Sequence, residues 1–310
     1  MEHLPEQLTD NPAQFKALMQ RPKVAWPTVM LFVVAWTMYI AGTYLALSGQ
    51  LSPVLAIAIN ALAVFWLFTV FHDASHSSVC QNRKLNDWFG RVSIMAFTPL
   101  PVFKIFRFVH MQHHRFSNEA DDPDFYCGSG PRWSLPLRWA SLDLHYYYWY
   151  LPRLLKVSVR PFSVTLGRPV AELRDALLTL AVSFSLIAAV LVSGWGMELL
   201  LYWLLPARIA IFFLALAFDY LPHAPYKATD AENKYQATSV RAGWEWLLTP
   251  LLLSQNYHLV HHLYPLVPFY RYVKVWRSRE RFHLEQTPLM LSPVSNRELT
   301  QSEYLALRGL

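Results

Sequence analysis

Four long apolar runs, separated by polar segments, dominate the hydrophobic pattern of this chain. In order, they cover about residues 25–48, 53–71, 176–194 and 197–218. Each run is close to the roughly 20 apolar residues that an α-helix needs to cross a bilayer. Only a few residues separate the two runs of each pair, so we predict two transmembrane helical hairpins.

Two shorter apolar stretches, at about 92–103 and 247–254, are too short to cross a bilayer and predict interfacial or re-entrant segments. Pro99 and Pro101 support this interpretation for the first stretch, because proline interrupts a regular helix. The aromatic run at 146–150 indicates contact with the membrane interface. The last 25 or so residues are polar, and we expect them to form a loosely ordered tail.

The composition agrees with a membrane protein. Of 310 residues, 54% are hydrophobic and 15% are charged, whereas a soluble domain carries about 25% charged residues. The net charge of +6 does not indicate a nucleic-acid partner, because the basic residues flank the apolar runs and form no nucleic-acid motif. Cys80 and Cys127 form no CxxC or haem-attachment motif, so we expect no disulfide to hold the fold.

The positions of lysine and arginine predict the orientation. Three precede the first run, thirteen lie between residues 72 and 175, ten follow residue 219, and the links within the hairpins carry none. By the positive-inside rule, both termini and the long middle segment are cytoplasmic. We therefore predict an all-α integral membrane protein that forms one domain over residues 1–310. Its four transmembrane helices would lie beneath a cytoplasmic helical cap formed by about 72–175 and 219–285.

Eight of the twelve histidines fall into three short boxes, and a ninth follows the fourth apolar run. The boxes read HxxxH, HxxHH and HxxHH. The nine residues are His72, His76, His110, His113, His114, His223, His258, His261 and His262. Residues three and four apart share one face of a helix, so each box directs its rings to one side of one element. In the predicted orientation, all nine reach the cytoplasmic side.

These histidines indicate a metal centre. Imidazole is the commonest protein metal ligand at neutral pH. Nine rings exceed the about four ligands of one zinc ion, although imidazole also binds zinc, copper and nickel. Their number and membrane setting favour two iron ions and an oxygen-dependent enzyme. The isolated His3, His145 and His283 are interpreted as ordinary core or surface histidines.

Two other classes of membrane protein also use histidines. A membrane haem cytochrome would hold about two histidines per haem within its spans, and a metal transporter would line a mid-membrane path with polar ligands. In this sequence the histidines cluster at span ends and in cytoplasmic segments, and the spans are nearly free of polar ligands. These features disfavour both classes, which we keep as alternatives to the two-iron enzyme.

Carboxylates and amides beside the boxes predict hydrogen-bond partners for the metal-bound histidines, because such rings usually donate their second N–H to an oxygen acceptor. The principal candidates are Asp73, Asn118, Asp122, Asp124 and Asp219, with Glu119, Asp121 and Asn256 as further ones. Arg208 lies inside the fourth run, where a charge is costly. We expect Arg208 to pair with a polar group of the bundle rather than with a substrate carboxylate.

The order of the boxes, with spans between them, resembles the membrane fatty acid desaturase and hydroxylase superfamily over about residues 50–275. Three segments are most similar in sequence to carotenoid ring hydroxylases: His72-Asp-Ala-Ser-His76, Phe218-Asp-Tyr-Leu-Pro-His223 and Gln255-Asn-Tyr-His-Leu-Val-His-His262. They also resemble bacterial fatty acid desaturases and the membrane fatty acid decarboxylases that make terminal alkenes. The resemblance implies that the nine histidines hold two iron ions and that O2 is a co-substrate. It also implies that a separate ferredoxin or flavin reductase supplies electrons.

The resemblance further implies oxidation of C–H bonds in a long apolar substrate. We predict a fatty acid or acyl chain as the substrate, with desaturation or oxidative decarboxylation to a terminal alkene as the reaction. Hydroxylation of a carotenoid ring is the alternative. The predicted location is the bacterial inner membrane, with the termini and the active site in the cytoplasm.

Overall fold

The computed structural model describes residue 4 and residues 8–97, 102–159 and 162–310. His3, Pro99 and Pro101 lie outside the described residues. Most of the described chain is helical. Its helices are α1 (Pro12–Met19), α2 (Trp26–Leu47), α3 (Pro53–Ser75), α4 (Arg83–Ile94), α5 (Phe103–Phe116), α6 (Leu135–Ala140), α7 (Leu142–Leu154), α8 (Val170–Val192), α9 (Gly196–His223), α10 (Asp230–Asn233), α11 (Glu245–Leu251), α12 (His258–Leu263), α13 (Tyr272–Ser278), α14 (Glu280–Glu285) and α15 (Gln301–Arg308).

Four of these helices, α2, α3, α8 and α9, are long and apolar enough to cross a membrane. The four predicted spans are therefore confirmed as helices. Helix α3 continues four residues beyond the predicted end, because its last turn is buried among other helices rather than ending at the last apolar residue. Both α2 and α9 pack against α3.

A buried polar contact joins these three helices. Asn60 of α3 donates from Nδ2 to the hydroxyl of Thr43 at 2.8 Å and to the carbonyl of Tyr202 at 2.9 Å. That carbonyl lies in the first of two π-helical segments of α9, Leu200–Leu204 and Ala215–Tyr220. Side chains that satisfy the backbone in this way allow irregular helix turns at membrane depth.

Helices α4 and α5 reach into the bundle. Gly90 of α4 lies against Phe103, so close that a Cβ atom there would be 2.2 Å from the phenyl ring. The indole of Trp203 in α9 donates to the carbonyl of Phe97. Phe97 and Phe103, at the two ends of the described part of the predicted stretch at 92–103, thus pack against neighbouring helices, and the choice between an interfacial and a re-entrant segment stays a prediction. The second short stretch contains α11, where Trp246 is 80% exposed, as expected at a membrane interface.

The prediction of a loosely ordered C-terminal tail is wrong. Tyr304 of α15 is fully buried, and its hydroxyl accepts from Trp276 Nε1 at 2.9 Å and donates to Glu280. Arg308 pairs with the same carboxylate at 3.0 Å. One buried tyrosine thus anchors a polar segment to the cap, a contact that the average polarity of the segment does not reveal.

The predicted helical fold is confirmed in its main part, but two pairs of short strands accompany the helices. Strand β1 (Leu155–Val159) pairs antiparallel with β2 (Phe162–Leu166), and β3 (Ser239–Arg241) pairs parallel with β4 (Leu289–Leu291). Strands β3 and β4 have three residues each and are too short to show the alternating pattern that predicts a strand. Strands β1 (Leu-Lys-Val-Ser-Val) and β2 (Phe-Ser-Val-Thr-Leu) do alternate apolar and polar residues, so this hairpin was a signal in the sequence that the prediction missed. The guanidinium of Arg241 donates to the carbonyls of Leu221 and Ser292, so β3 joins the end of α9 to the C-terminal segment.

The expected pairing of Arg208 is confirmed. Its guanidinium binds the carboxylate of Asp143 with N–O distances of 2.6 and 3.1 Å and donates to the carbonyl of Ala140 at 2.7 Å. The pair joins α9 to α6 and α7. Cys80 and Cys127 are both buried and free, in agreement with the expectation that no disulfide holds the fold.

Candidate metal centre

The three histidine boxes lie on three separate elements, and α9 supplies the ninth histidine. His72 is in the last turn of α3, and His76 follows as its C-cap residue. The second box lies in α5 and the third in α12, so their predicted helical spacing is confirmed. His223 is the last residue of α9. The C-terminal ends of α3, α5 and α9 meet beside α12, and the structure therefore brings all nine rings together.

A first group of imidazoles comprises His72, His76, His110 and His261. Their candidate ligand atoms all lie within 4.8 Å of one another. The two Nε2 atoms of His76 and His110 are 2.8 Å apart, and those of His72 and His261 are 3.1 Å apart. All four side chains are buried. Four nitrogen donors at this spacing, shielded from water, suit one metal ion.

A second group comprises His113, His223, His258 and His262, also with ligand atoms within 4.8 Å of one another. Nε2 of His262 lies 3.1 Å from Nε2 of His258 and 3.2 Å from Nε2 of His113. His262 is half-buried and the other three are buried. This group suits a second metal ion.

His114 joins the two groups. Its Nε2 lies 2.8 Å from Nε2 of His261 and 3.2 Å from Nε2 of His110. Its ring stacks on that of His262, with centroids 4.3 Å apart. The nine imidazoles therefore form one contiguous centre, and the nitrogen distances associate His114 with the first group.

Oxygen atoms hold the Nδ1 atoms of five rings, so the Nε2 atoms of these rings face the centre. The Nδ1–oxygen pairs are His258 with Gln255 Oε1 at 2.6 Å, His113 with Asp122 Oδ1 at 2.9 Å, His261 with the Tyr272 hydroxyl at 3.0 Å, His223 with Asn118 Oδ1 at 3.1 Å and His262 with the Ser117 hydroxyl at 3.3 Å. Partners of this kind fix the orientation and tautomer of metal-bound histidines.

The Asn118 contact decides the tautomer of His223. Both hydrogens of the Asn118 amide are directed at backbone carbonyls, those of Ala228 and Ala237, each at 2.7 Å. Its oxygen therefore faces the ring, and Nδ1 of His223 carries the proton. Nε2 of His223 is then a bare lone pair, and it is buried with no hydrogen-bond partner in the described part of the chain.

The residues present fit a pair of metal ions. A buried acceptor without a donor is costly, and here several acceptor nitrogens face one another at 2.8–3.2 Å. Oxygen acceptors hold the proton of both His258 and His262 on Nδ1, so no ring proton is left for the 3.1 Å gap between their two Nε2 atoms. A cation bound by the Nε2 atoms removes this conflict, and imidazole nitrogen is a suitable donor for iron.

Burial and mutual repulsion keep most of the rings neutral. Burial lowers the pKa of His110, His258, His261 and His262, and neighbouring histidines lower it further. His113 differs: burial alone would lower its pKa, but the carboxylates of Asp122 and Asp124 raise it to about 9. Neutral imidazole is the form that binds metals. The two carboxylates that favour a proton on His113 would equally favour a metal cation.

The other predicted partners occupy different positions. Asp124 Oδ2 lies 3.3 Å from Nδ1 of His113, and Asp219 interacts with the carboxyl group of Asp124 rather than orienting a ring itself. Asp73 accepts from the Thr28 hydroxyl at 2.9 Å and from the amide of Phe269 at 3.4 Å. It is thus directed away from the rings, because adjacent residues of a helix face different directions.

The further candidates and the isolated histidines also make other contacts. Asp121 forms an ion pair with Arg153, and the amide of Asn256 donates to Thr249. His145 stacks on Tyr126 with centroids 3.9 Å apart, and the buried His283 stacks on Trp276 at 4.9 Å. Neither histidine belongs to the candidate ligand groups found among the described residues.

Sequence reasoning missed three partners, Gln255, Tyr272 and Ser117. Gln255 lies three residues before His258, so local spacing could have identified it. Ser117 contacts His262, 145 residues further along the chain, and no local pattern reveals that contact. Tyr272 is on α13, eleven residues beyond His261. Its approach depends on how α13 packs on α12, and no local pattern reveals it.

A small cavity of about 50 Å³, the inner cavity, adjoins the nine histidines. Its wall includes Phe68 and Phe106, whose rings stack on His72 and His110 with centroids 5.7 and 5.4 Å apart. Polar groups enter the lining at Asp143, Tyr146 and Asp219, and the remaining lining is apolar. The inner cavity can therefore place hydrocarbon atoms beside the first group of histidines.

Comparisons with known proteins agree with this arrangement. The profile of the family described as fatty acid desaturase matches residues 48–292. A beta-carotene ketolase from Paracoccus sp. is 29% identical over 245 residues, which cover 77% of this chain and 86% of that protein. The chloroplastic omega-6 fatty acid desaturase of Brassica napus is 27% identical over 79% of this chain and 57% of its own length. The sn-1 oleoyl-lipid 12-desaturase of Picosynechococcus sp. is 25% identical over 83% and 77%. The chain is thus a membrane oxidoreductase that belongs to the fatty acid desaturase family.

Proposed function

We propose that this chain is a single-domain di-iron enzyme that uses O2 to oxidise a C–H bond in a long apolar substrate. The observation that carries the proposal is the convergence of nine mostly buried imidazoles, in two adjoining groups, beside an apolar cavity. The number of rings exceeds what a single zinc ion takes. Their place at the ends of the spans also differs from the two in-span ligands of a membrane haem.

The chain's own residues have defined tasks in this proposal. His72, His76, His110, His114 and His261 would hold one iron ion, and His113, His223, His258 and His262 the other. When bound, the pair of ions would supply the oxidising power for O2-dependent attack on an unactivated C–H bond. Asn118, Asp122 and Gln255 keep protons on Nδ1 of their rings and so orient the donor nitrogens. The apolar wall excludes water and positions the substrate carbon.

The inner cavity favours an uncharged hydrocarbon segment at the centre. Its polar lining consists of Asp143, Asp219 and Tyr146. The nearby guanidinium of Arg208 is already bound to Asp143, so the described lining offers no unpaired cation to hold a substrate carboxylate. Decarboxylation requires a carboxylate next to the oxidant, so we favour desaturation of an acyl chain over alkene formation from a free fatty acid.

Oxidation of a carotenoid ring is the second candidate. It is supported by the amino-acid sequences of the histidine segments and by two relatives described as beta-carotene ketolases, which are matched over 86% of their length. A carotenoid ring is also uncharged and apolar, so the cavity chemistry suits it equally well. The two candidates differ in substrate and share the metal centre.

Electrons would come from a separate ferredoxin or flavin reductase on the cytoplasmic side. A polar pocket leads from the surface to His114 and His262, and its wall carries two basic residues, Arg115 and Lys234, and one acidic residue, Asp230. Basic groups at this opening favour an acidic donor. The distribution of lysine and arginine supports two membrane hairpins with the cap and termini in the cytoplasm, in a bacterial inner membrane.

Product analysis of cells that express the chain tests the proposal. Lipids, volatile hydrocarbons and, in a carotene-producing host, carotenoids are compared between wild type, His261→Ala and the control His145→Ala. We expect a new oxidised product in wild type and in His145→Ala, and none in His261→Ala. A product that persists in His261→Ala, or a purified protein with a Soret band, would contradict the di-iron assignment.

A further inference from the structure

We infer that a bilayer-facing groove between α2, α8 and α9 binds the part of the substrate that does not react. The inference rests on the proposed function and names where a long hydrocarbon lies. The cavity beside the histidines measures about 50 Å³, whereas pockets that hold whole ligands measure about 300–1,000 Å³. The inner cavity therefore accepts only the reacting end of a long molecule, and the remainder must lie elsewhere.

The groove has the size and chemistry for that remainder. It measures about 420 Å³ and is lined largely by aromatic and aliphatic side chains, among them Trp36, Tyr39, Val190 and Tyr202. Helices α2 and α8 are exposed along most of their length, so this face meets lipid in a bilayer. A substrate dissolved in the membrane can therefore enter the groove without crossing water.

The groove and the inner cavity lie on either side of the segment that contains Ala96 and Phe97. Ala96 lines the groove and the next residue, Phe97, lines the cavity. Trp203 lines the groove and donates from its indole to the carbonyl of Phe97. On the cavity side, Phe97 contacts Phe71 with ring centroids 5.2 Å apart. Phe97 and Trp203 thus separate the bilayer from the site, and a substrate that extends past them would reach the histidines.

A second apolar groove, between α3 and α9, is less suitable. It measures about 490 Å³ and also faces the bilayer. Its inner end is closed by Phe65, which packs edge-on against Phe218 with centroids 5.7 Å apart. Phe218 packs in turn against Phe68 at 4.7 Å, and Phe68 stacks on His72. The rings of Phe65 and Phe218 thus lie between this groove and Phe68, which lines the inner cavity.

The lining also restricts the substrate class. Among the described residues of the lining, Glu198 is the only charged one, and it lies at the junction of α8 and α9, far along the chain from the histidines. A negative charge there disfavours a carboxylate at the remote end of the substrate. The groove therefore fits an uncharged hydrocarbon, such as the methyl end of an acyl chain or the polyene of a carotenoid.

Matched tryptophan substitutions test this inference. Val190→Trp and Leu186→Trp add bulk to the groove, and Leu62→Trp adds the same ring to the groove between α3 and α9. We expect the two groove variants to lower kcat/KM by about tenfold, equivalent to about 1.4 kcal/mol of lost binding, while Leu62→Trp stays close to wild type. Iron content and size-exclusion profiles confirm that all variants are folded and loaded.

A photolabelling experiment provides a readout that does not depend on turnover. An uncharged octadecane with a diazirine near one end is the probe, and the labelled peptides are mapped by mass spectrometry. We expect labelling of peptides from α2 and α8 that decreases in Val190→Trp and persists in Leu62→Trp.

Two outcomes would overturn the inference: unchanged kinetics and labelling in both groove variants, or their loss in Leu62→Trp. If the wild type forms no product from any substrate, the proposed function fails. The labelling pattern then still decides whether the groove binds hydrocarbon.

Discussion

Gln255 offers a direct test of how the protein orients the second group of histidines. Gln255→Ala removes the oxygen that lies 2.6 Å from Nδ1 of His258. Gln255 is 2% exposed, so water cannot easily replace it. Its Nε2 has no hydrogen-bond partner among the described residues, so the substitution removes essentially one contact. Loss of such a partner weakens metal binding by about 10–100-fold, which corresponds to about 1.4–2.7 kcal/mol.

Because His258 belongs to the second group alone, we expect one of the two bound ions to become labile. Iron content is measured in purified protein after dialysis against increasing chelator concentrations. Gln255→Glu keeps an oxygen at the same position and should retain both ions, as should His145→Ala, which lies outside the centre. Wild-type resistance to chelator in Gln255→Ala, or equal loss in the Ala and Glu variants, would refute this reasoning.

Two further predictions concern stability. Arg208→Met leaves the Asp143 carboxylate buried without its guanidinium. The substitution should lower the free energy of unfolding by about 3 kcal/mol. The double variant Arg208→Met, Asp143→Asn should recover part of this loss. An unchanged thermal midpoint of Arg208→Met in detergent would contradict the prediction. Burial lowers the pKa of His283 from 6.5 to about 4, so the unfolded state binds more protons as pH falls through this range. The stability that this histidine contributes above about pH 6.5 should be lost toward pH 4, by up to about 3 kcal/mol. His283→Gln should lose less than wild type when both proteins are measured without metal. Parallel curves of thermal midpoint against pH for wild type and His283→Gln would exclude this contribution.

Features that depend on neighbouring residues could be predicted from the sequence. A span is an apolar run of sufficient length, and histidines at helical spacing share a face wherever the helix lies. The four spans and the helical second and third boxes were therefore predictable. The order of the C-terminal segment was not, because Tyr304 is held by Trp276 and Glu280, far away along the chain.

The partners of the histidines show the same limit. Asp122 follows the second box closely, and its contact with His113 was an accessible prediction. Asp73 is next to His72 in sequence but contacts Thr28, because the helix directs the two side chains differently. The approach of Tyr272 to His261 requires α13 to pack on α12. A contact between residues that share one face of a helix can thus be predicted from their spacing. Two adjacent residues of a helix face different directions, so their proximity in sequence does not predict a contact.

The ligands of the centre are divided between two of the long apolar helices and two shorter helices. Helix α3 contributes His72 to the first group, and α9 contributes His223 to the second. The cap helices α5 and α12 each contribute to both groups. Two bound ions would therefore link both spans to both cap helices, so the metals would fix the position of the cap above the bundle. The inner cavity lies beneath this junction, between residues of α3, α5 and α9. In the proposed orientation, a substrate that remains in the bilayer would present one carbon to a site held on its other side by the cap.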